Sequence, residues 1–422
     1  MEYNPAMKTQ ILALTMFLTV GLSSTDAEAK LFNTERSVWI GIEPLVLSTI
    51  TKSRMRVFEY KEVIKGNNEI FFKVKESEME KISHFIHHNF KRCGGYRVLH
   101  KEPKAEEKLA KYKSLFSSTA FGWYDFQTML RPDYSINQES TVEAWLPDVS
   151  IEYMNGIVTH LSSYKTRYYK SPEGVEALKW IGAEWSRLTA ARSDAKVDYY
   201  KYSTHDQPTV ILTIEGSDPL VKDQIIILGG HGDSINTDNE GIHTPAPGAD
   251  DNAAGIAVVS DIIRVMVNQN FQPRHTIQFI AYAAEEVGIQ GSYELARVYR
   301  EKKTKVLGVM QFDGVNYNVK KTYDMALVSD NTNPEQNNFL ASLIDKYVKA
   351  TWTWEQCGYA CSDHAAWNYE GYRASYPVEA ITAEQTPYLH TIKDTFDKSN
   401  STTEHASLFT KLGIAYLIEL DQ

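Results

Sequence analysis

The chain has 422 residues, 43% of them hydrophobic and 23% charged, and carries a formal net charge of -10. Such a composition excludes global disorder, and the acidic balance argues against nucleic-acid binding, which calls for a basic face. The length is more than one core normally fills and suggests two or three units.

At the start of the chain, Lys8 precedes a mostly apolar run, 11–22, and the small-residue site Ala27-Glu28-Ala29 follows. That order is the order of a secretory signal peptide, so residues 1–29 read as a leader cleaved after Ala29. Met7 makes a better start than Met1, because Glu2 spoils the charged n-region. A buried N-terminal helix is the competing reading, and the run lacks the amphipathic period it would need. No later segment reaches about 20 unbroken apolar residues, so no membrane anchor is expected and the product is read as secreted, extracellular or periplasmic.

Residues 30–139 form a separate stretch. Strand-like pieces at 38–42 and 69–74 and an amphipathic helix at 77–90 predict a small α+β unit. A charged run, 101–113, and an aperiodic aromatic stretch, 114–138, follow and read as a linker. Its position after a leader and before a linker favours a pro-segment released by proteolysis over a permanent domain or a cell-surface tether.

Residues 140–422 alternate β and α, the pattern of a sheet covered by helices on both faces. Helical stretches are expected at 162–169 and 172–187. Strands are expected at 210–214, 224–228, 276–281, 306–312 and 325–328. Between and after them lie helices at 253–267, 293–300, 336–350 and 405–419.

The chemistry gathers at strand and loop ends. His231 and Asp233 follow the strand 224–228, Glu285 and Glu286 follow 276–281, and Asp313 follows 306–312. In open α/β sheets, ligands bind outside the carboxyl ends of the strands, so these groups converge on one crevice. Asp250 and Asp251 sit at another loop lip, and His390 follows the loop 384–389. Four carboxylates in two adjacent pairs, placed where a buried chain ends, need a cation to face.

Either pair alone reads as an N-cap or a solvated helix start. Together with two histidines they suit a pair of ions such as zinc, each taking one His and one terminal carboxylate, with a further carboxylate shared. Ions roughly 3.5–4 Å apart would activate water for hydrolysis. One carboxylate then remains as general base, and Asp233 is placed to accept the other N–H of His231. Of the three cysteines, Cys357 and Cys361 form a candidate small-loop disulfide in an oxidising compartment, with Cys93 left over.

The motifs HGD, PGADDNAAG, AAEEVGIQGS, QFDGVNY, CGYACSDHAAW and YLHTIKDT resemble those of the secreted bacterial leucyl aminopeptidases, a co-catalytic zinc family, and FKRCGGYRV resembles their pro-segment. The resemblance covers 141–422 and implies a three-layer α/β/α sandwich on a mixed, mainly parallel, eight-stranded sheet. It implies two Zn2+ per chain, with Asp250 as the bridge, His231 and Asp313 on one ion, and Glu286 and His390 on the other. Glu285 is then the general base, Asp233 orients His231, and a cis bond joins Asp250 to Asp251. Tyr359 would stabilise the oxyanion. Gly314, Tyr376, Val378 and Leu389 would lie near an apolar pocket for the first residue, where several positions are smaller than in the family. A monomer acting on peptide or protein N-termini, released by a maturing protease, is implied, and Cys93 would leave with the pro-segment. The competing classes are a carboxypeptidase or glutaminyl cyclase on the same fold and a non-catalytic binding module.

Overall fold

The computed structural model describes residues 37–52, 63–65, 70–75, 78–90, 96–99 and 130–422, apart from 240 and 320. The leader 1–29, Cys93, the charged run 101–113 and most of the linker lie outside the described residues.

The first unit is β1 (Ser37–Ile42), α1 (Pro44–Lys52), β2 (Val63–Lys65), β3 (Ile70–Lys75), α2 (Met79–Phe90) and β4 (Tyr96–Leu99). Its antiparallel sheet runs in the order β2-β3-β1-β4. Alternation along β1 and β3 turns Ile40, Ile42, Phe72 and Val74 inward. There they meet Ile82, Phe85 and Ile86, spaced three and four apart on one face of α2. This is the expected small α+β unit.

The larger unit begins with α3 (Glu139–Trp145), α4 (Ile151–Ser163) and α5 (Pro172–Leu188), then β5 (Ala195–Tyr200), β6 (Thr209–Ile214) and β7 (Gln224–His231). After α6 (Gly255–Asn268) come β8 (Thr276–Tyr282), α7 (Gln290–Glu301), β9 (Lys305–Gln311) and β10 (Met325–Val328). The chain closes with α8 (Pro334–Leu343), β11 (Trp352–Glu355), α9 (His364–Tyr369), β12 (Ala374–Ser375), β13 (Pro377–Val378) and α10 (Ala406–Leu420).

Six strands form the main sheet in the order β12-β9-β7-β8-β6-β5. The pairs from β12 through β9 and β7 to β8 are parallel, and β8 to β6 to β5 are antiparallel, so the sheet is mixed. Strands β7 and β8 are near-continuous apolar runs because both faces are covered. On one face Ile226, Leu228, Phe279 and Ala281 pack with α4, α5, α6 and α10. On the other, Ile227, Ile280 and Tyr282 pack with Leu295 and Ala296 of α7 and with Trp367 of α9. Each fully buried branched or aromatic side chain contributes about 1.5–3 kcal/mol to this two-sided core.

Three expectations change. The helix expected at 162–169 is instead α4, which ends at Ser163, capped at its start by Ser150 accepting from the Tyr153 N–H. The following residues leave the helix, and Thr166 bridges to Ala246 near the site. Strand β5 was not expected, because AKVDYY is largely exposed, with charges on its open side, as suits an edge. Finally, the eight-stranded sheet that the resemblance implies is a six-stranded sheet beside a three-stranded one, β11-β10-β13, the two meeting at Tyr376 between β12 and β13.

Parallel β7, β8 and β9 all end at the same edge of the sheet. His231 is the last residue of β7, the Glu285-Glu286 pair comes just after β8, and Asp313 just after β9.

Candidate metal centre

His231 is fully buried, and its Nε2 lies 3.0 Å from Asp251 Oδ1 and 3.4 Å from Asp313 Oδ1. His390 Nε2 lies 3.0 Å from Asp251 Oδ2 and 3.2 Å from Glu286 Oε2. The two oxygens of Asp251 therefore face two different imidazoles. Asp313 is fixed from its other side, where Oδ2 accepts from the Ser362 hydroxyl at 2.7 Å.

Asp250 faces elsewhere. Its Oδ1 accepts from the amides of Asn316 and Tyr317 at 2.9 and 3.1 Å. The resemblance assigned the bridge to Asp250 and the supporting place to Asp251; in the structure it is Asp251, not Asp250, whose oxygens face both histidines. The cis bond moves by one residue as well, to Asp251-Asn252. The reason is local. Residues Ala249–Ala254 form a π-type turn that is interrupted at Asp251 and Asn252, which swings the second aspartate rather than the first toward the histidines. Asn252 Nδ2 then donates to Phe312 O, and Asp394 takes the amides of Asp250 and Asp251 on its two oxygens at 3.1 and 3.0 Å.

Asp233 performs the same service for the second acidic pair. Its Oδ1 and Oδ2 accept from the amides of Glu285 and Glu286, both at 3.1 Å, and Oδ1 stands 3.4 Å from His231 Nδ1. Glu285 is buried, and its Oε1 has no hydrogen-bond partner. Two non-glycine residues next to these groups, Ala284 and His390, hold the left-handed conformation at φ 53° and 56°. Such conformations persist only where the surroundings enforce them, and they cluster at functional sites.

Arg167, also buried, ties the loops together. Nε donates to Gly232 O at 3.0 Å, Nη2 to Gly248 O at 2.8 Å, and Nη1 to Leu161 O and Pro247 O. One guanidinium thus joins the His231 loop to the Asp251 loop. Gly248 has φ 53°, and an added Cβ would stand 2.3 Å from Asp251 O, so only glycine fits there.

The electrostatics match a cation site. Burial alone would lower the basicity of both histidines. Carboxylates beside them win instead: Asp313 and Asp233 hold His231 well above its ordinary range, and Glu286 and Asp251 push His390 up to about 9. Burial would raise Asp251, but its contacts with His231 and His390 hold it well below the carboxylate range. Burial and the nearby Asp251 push Glu286 up to about 8, and burial raises Glu285 well above its usual value. Burial, then Asp250 and Asp251, push Asp394 up to about 8. Protons are held here where a divalent ion would remove the repulsion. The donor set of two imidazoles and three carboxylates, with a spare buried carboxylate, fits such ions. Among the described residues, ligand atoms of His231, Asp251 and Glu286 lie within 4.8 Å of one another.

The other expected residues fall nearby. Cys357 and Cys361 are disulfide-bonded. Tyr359, within that loop, accepts from Asn331 Nδ2 on its carbonyl oxygen at 3.2 Å. Tyr376 and Val378 are buried with Ala326 and Val328 in a small apolar cluster flanked by Cys357, Cys361 and Ile381. The Tyr376 hydroxyl donates to Asp313 O at 3.1 Å, which links that cluster to the polar centre. Gly314 has φ 53° and lies next to Val378, and half-buried Leu389 immediately precedes His390. Three contributors were not singled out from the sequence: Asp394, Arg167 and His87. Asp394 falls four residues after His390 in a quoted motif, a usable signal. The other two carry none.

A buried, acid-rich edge at the ends of parallel strands that gathers two histidines and leaves one oxygen of Glu285 without a hydrogen-bond partner has the features of an α/β metallohydrolase. Comparison with known proteins narrows the class. The chain belongs to peptidase family M28, which residues 209–414 match. A probable leucine aminopeptidase of Arthroderma benhamiae is 30% identical over 290 residues, 67% of this chain and 77% of that protein. Among solved structures, LapB from Legionella pneumophila aligns with a TM-score of 0.74 at 27% identity, covering 92% of this chain and 100% of that one. The LapA aminopeptidase of the same organism aligns with a TM-score of 0.75 at 26% identity, covering 92% and 99%.

Proposed function

We propose that this chain is a secreted, co-catalytic two-zinc aminopeptidase that removes single N-terminal residues, leucine-like ones first, from peptides. The observation that carries the reading is Asp251, whose two oxygens each lie 3.0 Å from the Nε2 of a different histidine. One carboxylate between two imidazoles marks two adjacent cation positions. His231 and Asp313 would hold one ion, His390 and Glu286 the other, with Asp251 shared. Imidazole and carboxylate donors suit zinc. When bound, the ions supply Lewis acidity to the scissile carbonyl and to water.

The chain's own groups do the rest. Glu285, held through its backbone by Asp233 and free at Oε1, takes a proton from the attacking water and returns it to the leaving nitrogen. The water oxygen bonds to the carbonyl carbon to give a tetrahedral oxyanion, which then collapses as the C–N bond breaks, so the hydroxyl stays on carbon and the proton goes to nitrogen. Tyr359 offers its hydroxyl to the developing oxyanion from a loop closed by the disulfide. The apolar cluster of Tyr376 and Val378 offers a wall to a leucine-like side chain. A free α-amine, in its neutral form, would sit at one of the ions beside a carboxylate, and only the first residue of a peptide has one. The names of the relatives agree with this class. A carboxypeptidase would need a cation to hold the substrate carboxylate, yet the buried Arg167 and Lys321 both donate to backbone carbonyls.

Hydrolysis of Leu-p-nitroanilide tests the reading. Activity should vanish with a chelator and return with zinc, and Glu285→Gln should lose about 10²–10⁴-fold while retaining zinc. Undiminished turnover in Glu285→Gln would sink the assignment.

A further inference from the structure

Helix α2 of the N-terminal unit lies against the catalytic unit at the metal centre. Glu80 Oε1 accepts from Lys170 Nζ at 2.8 Å and from the hydroxyls of Tyr168 and Tyr169 at 3.2 and 3.4 Å. From β4, the Tyr96 hydroxyl donates to Val287 O at 2.7 Å, one residue beyond Glu286, and the Arg97 guanidinium stacks 4.1 Å over the Tyr369 ring. These contacts hold two successive elements of the first unit onto the second.

Between them α2 carries an unusual buried residue. Ile82, Phe85 and Ile86 face the unit's own core, whereas His84 and His88 face solvent. His87 has no exposed surface. Its ring packs edge-on against His390 with centroids 5.4 Å apart. Ser83 Oγ, one turn earlier, lies 3.4 Å from His87 Nδ1 and steadies the ring. Ligand atoms of His87, Glu286 and His390 all lie within 4.8 Å of one another.

We propose that His87 is a metal ligand supplied by the N-terminal unit, a third imidazole for the ion held by Glu286 and His390. On the two-zinc reading above, on which this rests, that ion is one of the pair that receives the substrate's α-amine. An imidazole from α2 in its coordination sphere occupies the place of the incoming amine, and the helix that carries it covers the approach. The uncut chain is therefore metal-loaded and closed. Removal of 30–139 withdraws a ligand as well as a lid, so opening the site and readying the ion for substrate are one event.

The test uses the full-length chain loaded with zinc, comparing wild type, His87→Ala, His87→Gln and the solvent-facing control His84→Ala. X-ray absorption at the zinc edge should give about 1.5 imidazoles per zinc in wild type and His84→Ala, and about 1 in both His87 variants. Hydrolysis of Leu-p-nitroanilide by the uncut chain should rise at least about tenfold in both His87 variants and stay unchanged in His84→Ala. His87→Gln keeps the volume and a polar head, so a folding failure of the alanine variant leaves the measurement intact. An equal imidazole count in wild type and His87→Gln overturns the proposal, whatever the activities, because the helix would then act as a lid alone. Absence of bound zinc and of activity in every form would instead refute the two-zinc reading.

Discussion

Asp250 and Asp251 are chemically identical neighbours, and replacing each in turn by asparagine separates them. Asp251 offers one oxygen to each of the two imidazole positions at 3.0 Å. Asparagine has a single acceptor oxygen and no charge, so it cannot serve two ions. Even supporting residues outside the ligand set cost 10–100-fold in metal affinity when changed. Loss of a shared ligand should therefore exceed 100-fold, or about 2.7 kcal/mol. Asp250 instead accepts two backbone amides, at 2.9 and 3.1 Å, which an asparagine oxygen can still do. Burial, with Asp251 beside it, raises the Asp250 carboxyl and so already favours a neutral group there; Asp250→Asn should therefore change stability by no more than about 1 kcal/mol and keep its metal. Equilibrium competition with a chelator, read as zinc per chain, gives the affinities; urea unfolding of the loaded protein gives the stabilities. A zinc-free Asp250→Asn beside a fully loaded Asp251→Asn would refute Asp251 as the shared ligand.

Away from the centre, His405 sets a pH dependence. Burial, then Lys321, hold it down to about 4, with one ring nitrogen 2.8 Å from Asp324 O. The unfolded chain binds this proton near pH 6.5 and the folded chain only near 4, so stability falls as pH drops through that window, by up to about 3 kcal/mol. His405→Gln should flatten the dependence of the urea midpoint between pH 7 and 5, and parallel curves for the two proteins would contradict this. For the leader and pro-segment, mass spectrometry of exported protein should find one form beginning at Lys30 and an active form beginning between about 113 and 143. Fully active protein that still begins at Lys30 would refute maturation by release.

The strand ends were legible because their physics is periodic. The runs 224–228, 276–281 and 306–312 are mostly apolar, and the acidic or histidine residues His231, Glu285 and Asp313 come one to four residues after they end. Period alone could not locate α4, since Asn155 and Gly156 look like breakers while the aromatics after Ser163 look continuous. Nor could it locate β5, an edge strand whose charges mask its alternation. His231, Asp251, Glu286, Asp313 and His390, all singled out from the sequence, lie together, but orientation within the first acidic pair was not readable. That depends on backbone angles at Asp251 and Asn252 and on Asp394, 143 residues further on. His87 was hidden for a similar reason. Nothing in an amphipathic helix distinguishes a histidine facing solvent from one facing a second unit, until the two units meet.

The two acidic pairs share one device. In each, a single carboxylate receives the amides of both members, Asp394 for Asp250 and Asp251, Asp233 for Glu285 and Glu286. Consecutive N–H groups make a natural anion seat, and a carboxylate with two oxygens fills it in one orientation. With both amides pinned, the two side chains of a pair are obliged to diverge. One turns to a histidine, Asp251 or Glu286, and the other is left for a different task, Asp250 for the amides of Asn316 and Tyr317 and Glu285 with an unengaged oxygen. Adjacent acids are thus a way to place a ligand and a non-ligand a few ångströms apart on one rigid backbone. That separation is what a hydrolase needs between the group that holds a cation and the group that moves a proton.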